Sequence, residues 1–549
     1  MKTRIRRLIK EHTGRLSKLN LVLIVVALIL TAGYYYLLLP PINLRATEFY
    51  AFAWPVLIWF IIATLSYPVR GRIFGITKAT KVLVVIAVVG AVLLLAGNIS
   101  SAKIFRAHSY ASLITIEERE FTTDIEESDT VTDIAVMDTE SAQVVGQRAI
   151  GSLSDVVSQY EISEEYSQID LNGQPMKTAS LEYADFFKWF NNRSEGIPGY
   201  VLVDPLEFEA EYVELETPIK YTSSGWFNDN IYRHIRFKYP TAIFDDIYFE
   251  LDEDGVPYYV CPVKEPKVGL FGGYDVKGVI ICDPCSGDCE YYSLGEIPNW
   301  VDRVYSGDLI QQKYNWYGTL SGGFINSIIG QKGCKEVTDD YGYKVMDGDV
   351  WIYTGVTSVT GDSSNIGFIM CNGRTGETRY YAVAGAEEHS AMNAAEGQVQ
   401  DLGYEASFPS LINVEGCPTY FTVLKDKSNL VKMYAMINVQ KYSIVATGTT
   451  QKEVFAEYKK LLSSNNIVSG SSMSYDEYPS KSITVSSLRF VLVDDETCVY
   501  VTDESGVVYK QSFAENEELI FIEEGDKIIV YYEDTDSDIK QLISYEFEE

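Results

Sequence analysis

A chain of 549 residues, 46% of them hydrophobic and with a formal net charge of −32, is long enough for several domains and too apolar for a disordered chain. The charge is unevenly placed: residues 1–106 hold 14 Lys/Arg against only Glu11 and Glu48, so residues 107–549 carry a net −44. Such a field excludes a nucleic-acid role, and eight cysteines are too few for a disulfide scaffold in so long a chain.

The chain opens with a basic tail, residues 1–18, carrying Lys2, Arg4, Arg6, Arg7, Lys10, Arg15 and Lys18. Three apolar runs follow within residues 19–98, at about 19–39, 49–66 and 82–97, each free of Asp, Glu, Lys and Arg. At a rise of about 1.5 Å per residue they predict three membrane-spanning helices, the third only just long enough. A cleaved signal peptide is the competing reading of the first run, but its length and the two later runs favour an anchor. Runs without an ionisable group disfavour transport. Tyr34–Tyr36, Trp54 and Trp59 suit interfacial or packing aromatics.

Basic residues set the expected orientation. The tail has seven, the first loop only Arg45, and the second loop has Arg70, Arg72, Lys78 and Lys81. Excess Lys/Arg marks cytoplasmic segments, so the tail and second loop are expected inside and everything after about residue 99 outside; Lys103 and Arg106 pull slightly the other way.

Residues 99–140 read as an acidic connector. Beyond it one pattern recurs: Gly278–Tyr292 reads GVIICDPCSGDCEYY, Gly367–Tyr381 reads GFIMCNGRTGETRYY, and Gly199–Val213 reads GYVLVDPLEFEAEYV, with a fourth form in Met433–Ala446. Each is a buried run, an Asx-based turn and an aromatic-rich return, which predicts a β-hairpin. A second marker precedes each copy, at Gly173-Gln-Pro175, Gly255-Val-Pro257, Gly348-Asp-Val350 and Gly416-Cys-Pro418. Two markers in fixed order, four times, predict a repeated unit.

Helices are expected between the copies: one after Ser180 as cap, then Asn228–Lys238, Leu309–Tyr314, Glu387–Leu402 and Gln451–Leu462. The unit is then a helix followed by two or three antiparallel strands, and the fold class is α+β. The expected boundaries are 141–215, 216–300, 301–386 and 387–464 for the four units, 465–481 for a Ser/Asn/Gly linker, and 482–549 for a small β-barrel of OB or SH3 type. A peptide or wall-associated partner suits so acidic a barrel better than an oligonucleotide.

The order helix, strand after a DG-x-P turn, apolar run and D/N-x-x-T-G-E resembles the PepSY-type repeat of secreted and membrane-tethered bacterial proteins. Asn372-Gly-Arg-Thr-Gly-Glu377 fits best and Asp283-Pro-Cys-Ser-Gly-Asp288 next. The copies at Asp204 and Asn438 depart from the motif, with Phe208 and Tyr442 where the turn glycine stands. The whole chain resembles multi-span membrane proteins of Gram-positive bacteria. The resemblance implies binding modules, often regulators of extracytoplasmic proteases, with no catalytic residues to carry over.

Candidate chemistry is sparse. Cys261, Cys282, Cys285 and Cys289 form a zinc-ligand candidate, although Cys282 and Cys289 flank a turn where a disulfide or two packed thiols would serve. Arg233, His234, Arg236 and Lys238 form a basic patch that either docks an acidic partner or pairs internally with Glu/Asp; internal pairing is favoured. His389 and Ser390 are adjacent, which suits a cap better than a base–nucleophile pair. Asp534-Thr-Asp536-Ser-Asp538 begins like a calcium loop but has Ile539 and Tyr545 where Gly and Glu belong. No hydrolase, P-loop or dinucleotide fingerprint occurs. The expectation is therefore a membrane-anchored extracytoplasmic binding or scaffold protein, without catalysis or cofactor, acting on another envelope protein. An envelope hydrolase sited between units is one alternative, and a sensor or assembly factor with cytoplasmic partners is the other.

Overall fold

The computed structural model describes residues 16–547 apart from 68–74, 129–136, 152, 339, 360–363, 466, 468–478, 494–495, 514–516 and 534–538. The tail up to Arg15, Arg70 and Arg72, most of the linker, and the Asp534–Asp538 loop lie outside the described residues. The fold is mixed α+β, and the chain divides into two compact units, Met1–Leu461 and Leu462–Glu549.

Three helices, α1 (Lys18–Leu38), α2 (Thr47–Thr64) and α3 (Lys78–Ser101), are long and apolar enough to cross a membrane. At one end they are tied by buried polar groups. The Asn20 amide donates to the carbonyls of Ala63 and Leu65, at 2.8 and 2.7 Å, and the Thr80 hydroxyl donates to Thr64 at 3.0 Å.

The opposite ends carry the globular domain. Ile42 N–H donates to Pro240 O at 2.7 Å, and Ser101 Oγ accepts the N–H groups of Leu270 and Phe271 at 3.0 and 2.9 Å. Phe271 fills the space above Gly97, where a Cβ would fall 2.2 Å from its ring, and meets Tyr50 of α2 edge-on at 5.6 Å. A short helix, α4 (Lys103–Ala111), leads away from α3.

Each predicted unit is a helix followed by four antiparallel strands, not two or three, because each upstream glycine marker is itself a hairpin turn. Unit 1 has helix Thr139–Gly151 and strands Ser167–Leu171, Gln174–Tyr183, Ile197–Asp204 and Glu209–Ile219. Unit 2 has Ile231–Lys238, then Tyr248–Leu251, Pro257–Val268, Gly272–Cys282 and Cys289–Ser293. Unit 3 has Gly307–Leu320, then Gly342–Met346, Asp349–Ser358, Gly367–Asn372 and Thr378–Tyr381. Unit 4 has Glu388–Gln398, then Ser410–Val414, Cys417–Lys425, Val431–Asn438 and Val445–Gly448. In every unit the four strands pair in chain order.

The turn residues explain the repeat. Asp204, Asp283, Asn372 and Asn438 each accept a backbone N–H two or three residues ahead: Leu206 at 2.8 Å, Cys285 at 2.7 Å, Thr375 at 2.8 Å and Lys441 at 2.8 Å. Gly287 and Gly376 close two of these turns at φ +81° and +76°, and Phe208 is held at φ +58° in the same place.

One expected helix start is corrected. Ser180 caps no helix; it lies inside strand Gln174–Tyr183, and Asp185 caps the short insertion Phe186–Asn192 by accepting from Phe187 and Lys188. The connector carries structure of its own. Its Ile116–Arg119 runs as a strand parallel to Thr378–Tyr381 of unit 3, and Asn413 of unit 4 donates its amide to Ile125 O at 2.9 Å.

The sheets of units 2 and 3 are buried on both faces, which is why their strands read as continuous apolar runs instead of alternating ones. Cys261, Ile280 and Cys282 face the core shared with unit 1, while Val260, Val279 and Ile281 on the same strands face unit 3. In unit 3, Ile369 and Cys371 meet unit 2, while Phe368 and Met370 meet unit 4.

The C-terminal unit is described by itself. Its five strands, Ser480–Val493, Glu496–Asp503, Val508–Ser512, Lys527–Glu533 and Ile539–Phe547, close into a ring in the order first, second, third, fifth, fourth. The core is apolar, with Val485, Val499, Val501, Ile528 and Val530 fully inside.

Candidate functional site

Where units 1, 2 and 3 meet, a cleft of about 1440 Å³ opens, lined by Tyr160, Tyr232, Tyr248, Tyr341 and Tyr343. Among the described residues eight carboxylates also line it, Glu161, Glu164, Glu165, Asp308 and Asp340 included, against a single cationic side chain, Arg303.

Strand alternation sets the back wall. On Tyr248–Leu251, Phe249 and Leu251 enter the core shared with unit 1, so Tyr248 and Glu250 take the other face. The Arg303 guanidinium lies 4.1 Å from the Tyr248 ring centroid and donates to Tyr343 OH at 3.1 Å. This clamp fixes a planar cation between two rings. Behind it, the fully buried Glu250 accepts the N–H groups of Asp302 and Arg303 at 2.8 and 3.2 Å. Asp302 in turn accepts the N–H of Asp170 in unit 1 at 2.7 Å. Three units are thus joined through two buried carboxyl groups.

Burial governs the titration of these groups. It pushes Glu250 up to about 7, against the lowering effect of its two N–H donors and of Arg303. It raises Asp302 well above the carboxylate range, with the Glu250 charge adding to the effect. Burial also raises the Tyr248 and Tyr341 phenols, which therefore remain hydrogen-bond donors at neutral pH. Among the described residues no His lines the cleft. The acidic groups could hold a cationic ligand and the ring faces its flat or aliphatic parts. A second cavity, of about 630 Å³, lies beside connector residues Asp124–Ser128 and Lys344, whose amine burial lowers to about 8.

The four thiols proposed for zinc do not converge. Cys282 and Cys289 are direct cross-strand partners joined by a disulfide, with Cα atoms 4.1 Å apart. Cys261 is buried on the neighbouring strand, opposite Ile280, and Cys285 points its sulfur at Thr217 O, 3.2 Å away. Among the described residues no three His, Cys, Asp or Glu side chains group as metal ligands.

The basic patch is occupied by internal contacts, mostly with carbonyls and ring faces instead of the expected carboxylates. Arg236 is fully buried, 4.0 Å from the Phe244 centroid, and donates to Ala242 O. His234 Nε2 and Lys238 Nζ both donate to Gly287 O, at 2.7 and 2.5 Å, and burial lowers the His234 pKa. Arg233 lies 4.4 Å from the Tyr36 centroid of α1. His389 stands at the start of helix Glu388–Gln398, and Ser390 Oγ donates to Glu387 at 3.4 Å. The cleft itself escapes sequence reading, since Glu161, Tyr248, Arg303 and Tyr343 share no local motif.

No protein-family model matches this chain, and no curated protein matches it.

Proposed function

We propose that this chain is a membrane-anchored extracytoplasmic binding or scaffold protein whose tandem units hold a cationic segment of another envelope protein. The observation that carries this reading is the cleft around Arg303: one guanidinium clamped between tyrosines, surrounded by eight carboxylates. A Lys/Arg-rich peptide gains Coulomb attraction from such a rim and ring stacking from its walls. Binding, not bond-making, is the role assigned to the cleft.

An exterior location is supported by the Lys/Arg excess on the tail and second loop and by the Cys282–Cys289 disulfide, which suits an oxidising compartment. The helix-plus-four-strand unit and its Asx turns support a PepSY-like reading. The strand order of the C-terminal ring, with a parallel pair between Val508–Ser512 and Ile539–Phe547, supports an OB-type barrel.

A second reading, as a sensor, is favoured by the seating of Phe271 between α2 and α3, which couples the domain directly to the spanning helices.

The test is crosslinking and mass spectrometry in native membranes. The binding reading requires crosslinks from residues around the cleft to a basic segment of one membrane or envelope protein. Protease protection of the whole domain in intact cells, or crosslinks only to cytosolic proteins, would refute it.

A further inference from the structure

Two clusters of exposed large apolar side chains lie beside the ends of spanning helices. The first lies by α1. Phe187, Phe190, Trp226 and Phe227 are 71, 52, 48 and 54% exposed. They sit on a rigid base, because Phe186 packs edge-on to Trp226 at 4.9 Å and the buried Trp189 lies 5.7 Å from Phe227. Their height is fixed by Arg233, which donates to Phe227 O while stacking on Tyr36 in the last turn of α1. Phe237, also exposed, lies 6.2 Å from both Tyr35 and Tyr36.

The second lies by α3. Helix α4 starts two residues after α3 ends and exposes Ile104 and Phe105. It packs on helix Gly307–Leu320 through Tyr110 and Trp316, 4.9 Å apart. That helix then leads through a turn at Gly323 to Ile325, Ile328 and Ile329, which are 74, 60 and 82% exposed.

Surface apolar residues scattered singly need no explanation, but clusters of this size mark a contact. Aromatic side chains with nearby bases are what the headgroup region of a bilayer accepts. Both clusters are continuous with helix ends that belong in that region. We infer that the two clusters enter the interfacial layer of the leaflet on the domain's side, so that the domain rests on the bilayer at two points flanking the helix bundle. The partner is the lipid surface itself. This role is separate from the cleft and does not depend on what the cleft binds.

The test uses the full chain in lipid nanodiscs, with and without bromine on the upper acyl chain, and reads tryptophan fluorescence. Native Trp226 is the first probe: Trp226→Phe should remove a contribution that brominated lipid quenches. Ile328→Trp should add a quenched contribution, and Leu402→Trp in unit 4 should add an unquenched one. If Trp226 and Ile328→Trp were quenched no more than Leu402→Trp, the proposal would fall. It would also fall if these positions crosslinked efficiently to a second copy while remaining unquenched. Trp226→Phe and Ile328→Trp probe different clusters by loss and by gain of signal, so if one variant fails to fold the other still decides.

Discussion

Glu250 holds the backbone N–H of Asp302 at 2.8 Å, so a strand of unit 2 is fastened to the segment that opens unit 3 by one buried carboxyl group. Asp302 passes the link on to Asp170 of unit 1. The acid-rich surface is therefore built around a junction where charge is costly.

That junction predicts a pH dependence with a definite sign. Glu250 has its folded pKa raised to about 7 by burial, above the ordinary carboxylate value of about 4.3. A raised carboxyl takes up a proton on folding, so its contribution is most favourable below the ordinary value. It declines as pH rises through that window and is flat above about 7. Asp138 is shifted the opposite way: burial opposes the shift, but its bonds to Lys425 and Ser141 hold it down, so its contribution is lost only at acid pH. The thermal midpoint of the detergent-solubilised chain should fall between pH 5 and pH 7.5. Asp302→Asn, which keeps an acceptor for Asp170 N–H, should make that fall shallower. A midpoint that rose over this range would contradict the assignment.

The cleft makes a prediction about binding without stability. Glu161, Glu164 and Glu165 are exposed, so their joint change to Gln should alter stability by no more than about 0.5 kcal/mol per site. Crosslinking to the partner should nevertheless weaken severalfold and lose much of its salt dependence. Tyr343→Phe, which removes the hydroxyl that Arg303 and Tyr341 bond, should weaken it less.

The repeat turn predicts a local stability cost. Asn372 accepts from Arg374 and Thr375 and donates to Asp349 at 2.8 Å, all from one buried side chain. Asn372→Ala should cost about 2–3 kcal/mol, and Gly376→Ala about 1–3 kcal/mol, since its φ is +76° and a Cβ would meet the Tyr305 ring at 2.9 Å. Urea titrations of the two variants against the parent chain decide this.

The disulfide predicts a protection pattern. In untreated membranes Cys282 and Cys289 should resist a maleimide under denaturing conditions until a reductant is added, while Cys285 reacts without it. Because only seven positions separate the pair, removing both sulfurs should cost about 2 kcal/mol, less than a long loop would. Free thiols at both positions in membranes from unstressed cells would argue against an oxidising compartment.

The repeated hairpins were legible because their chemistry is local: an Asx side chain turning back on its own backbone at Asp204, Asp283, Asn372 and Asn438, and glycine at φ +81° or +76°. The three apolar helices were legible for the same reason, as composition over a single run. Ser180 misled because a cap-forming residue inside a strand looks the same in sequence as one before a helix; the pairing of Ser180 with Tyr200 settles it. The connector strand, the Glu250–Asp302 junction and the cleft depend on residues tens to hundreds of positions apart. Cys261 likewise sits beside Cys282 in sequence pattern yet is held one strand away by register.

The connector strand also bears on how the protein is made. Arg119 pairs with Tyr381, so a segment that leaves the ribosome early must wait for about 260 further residues. At 5–20 residues per second that is about 10–50 s during which an edge of unit 3 does not exist. Units 1 and 2 can condense in that interval, but unit 3 cannot take on the connector strand until the last of its own hairpin arrives. Nascent chains stalled before residue 381 should thus be cut by protease near residue 119 and spared once synthesis passes it.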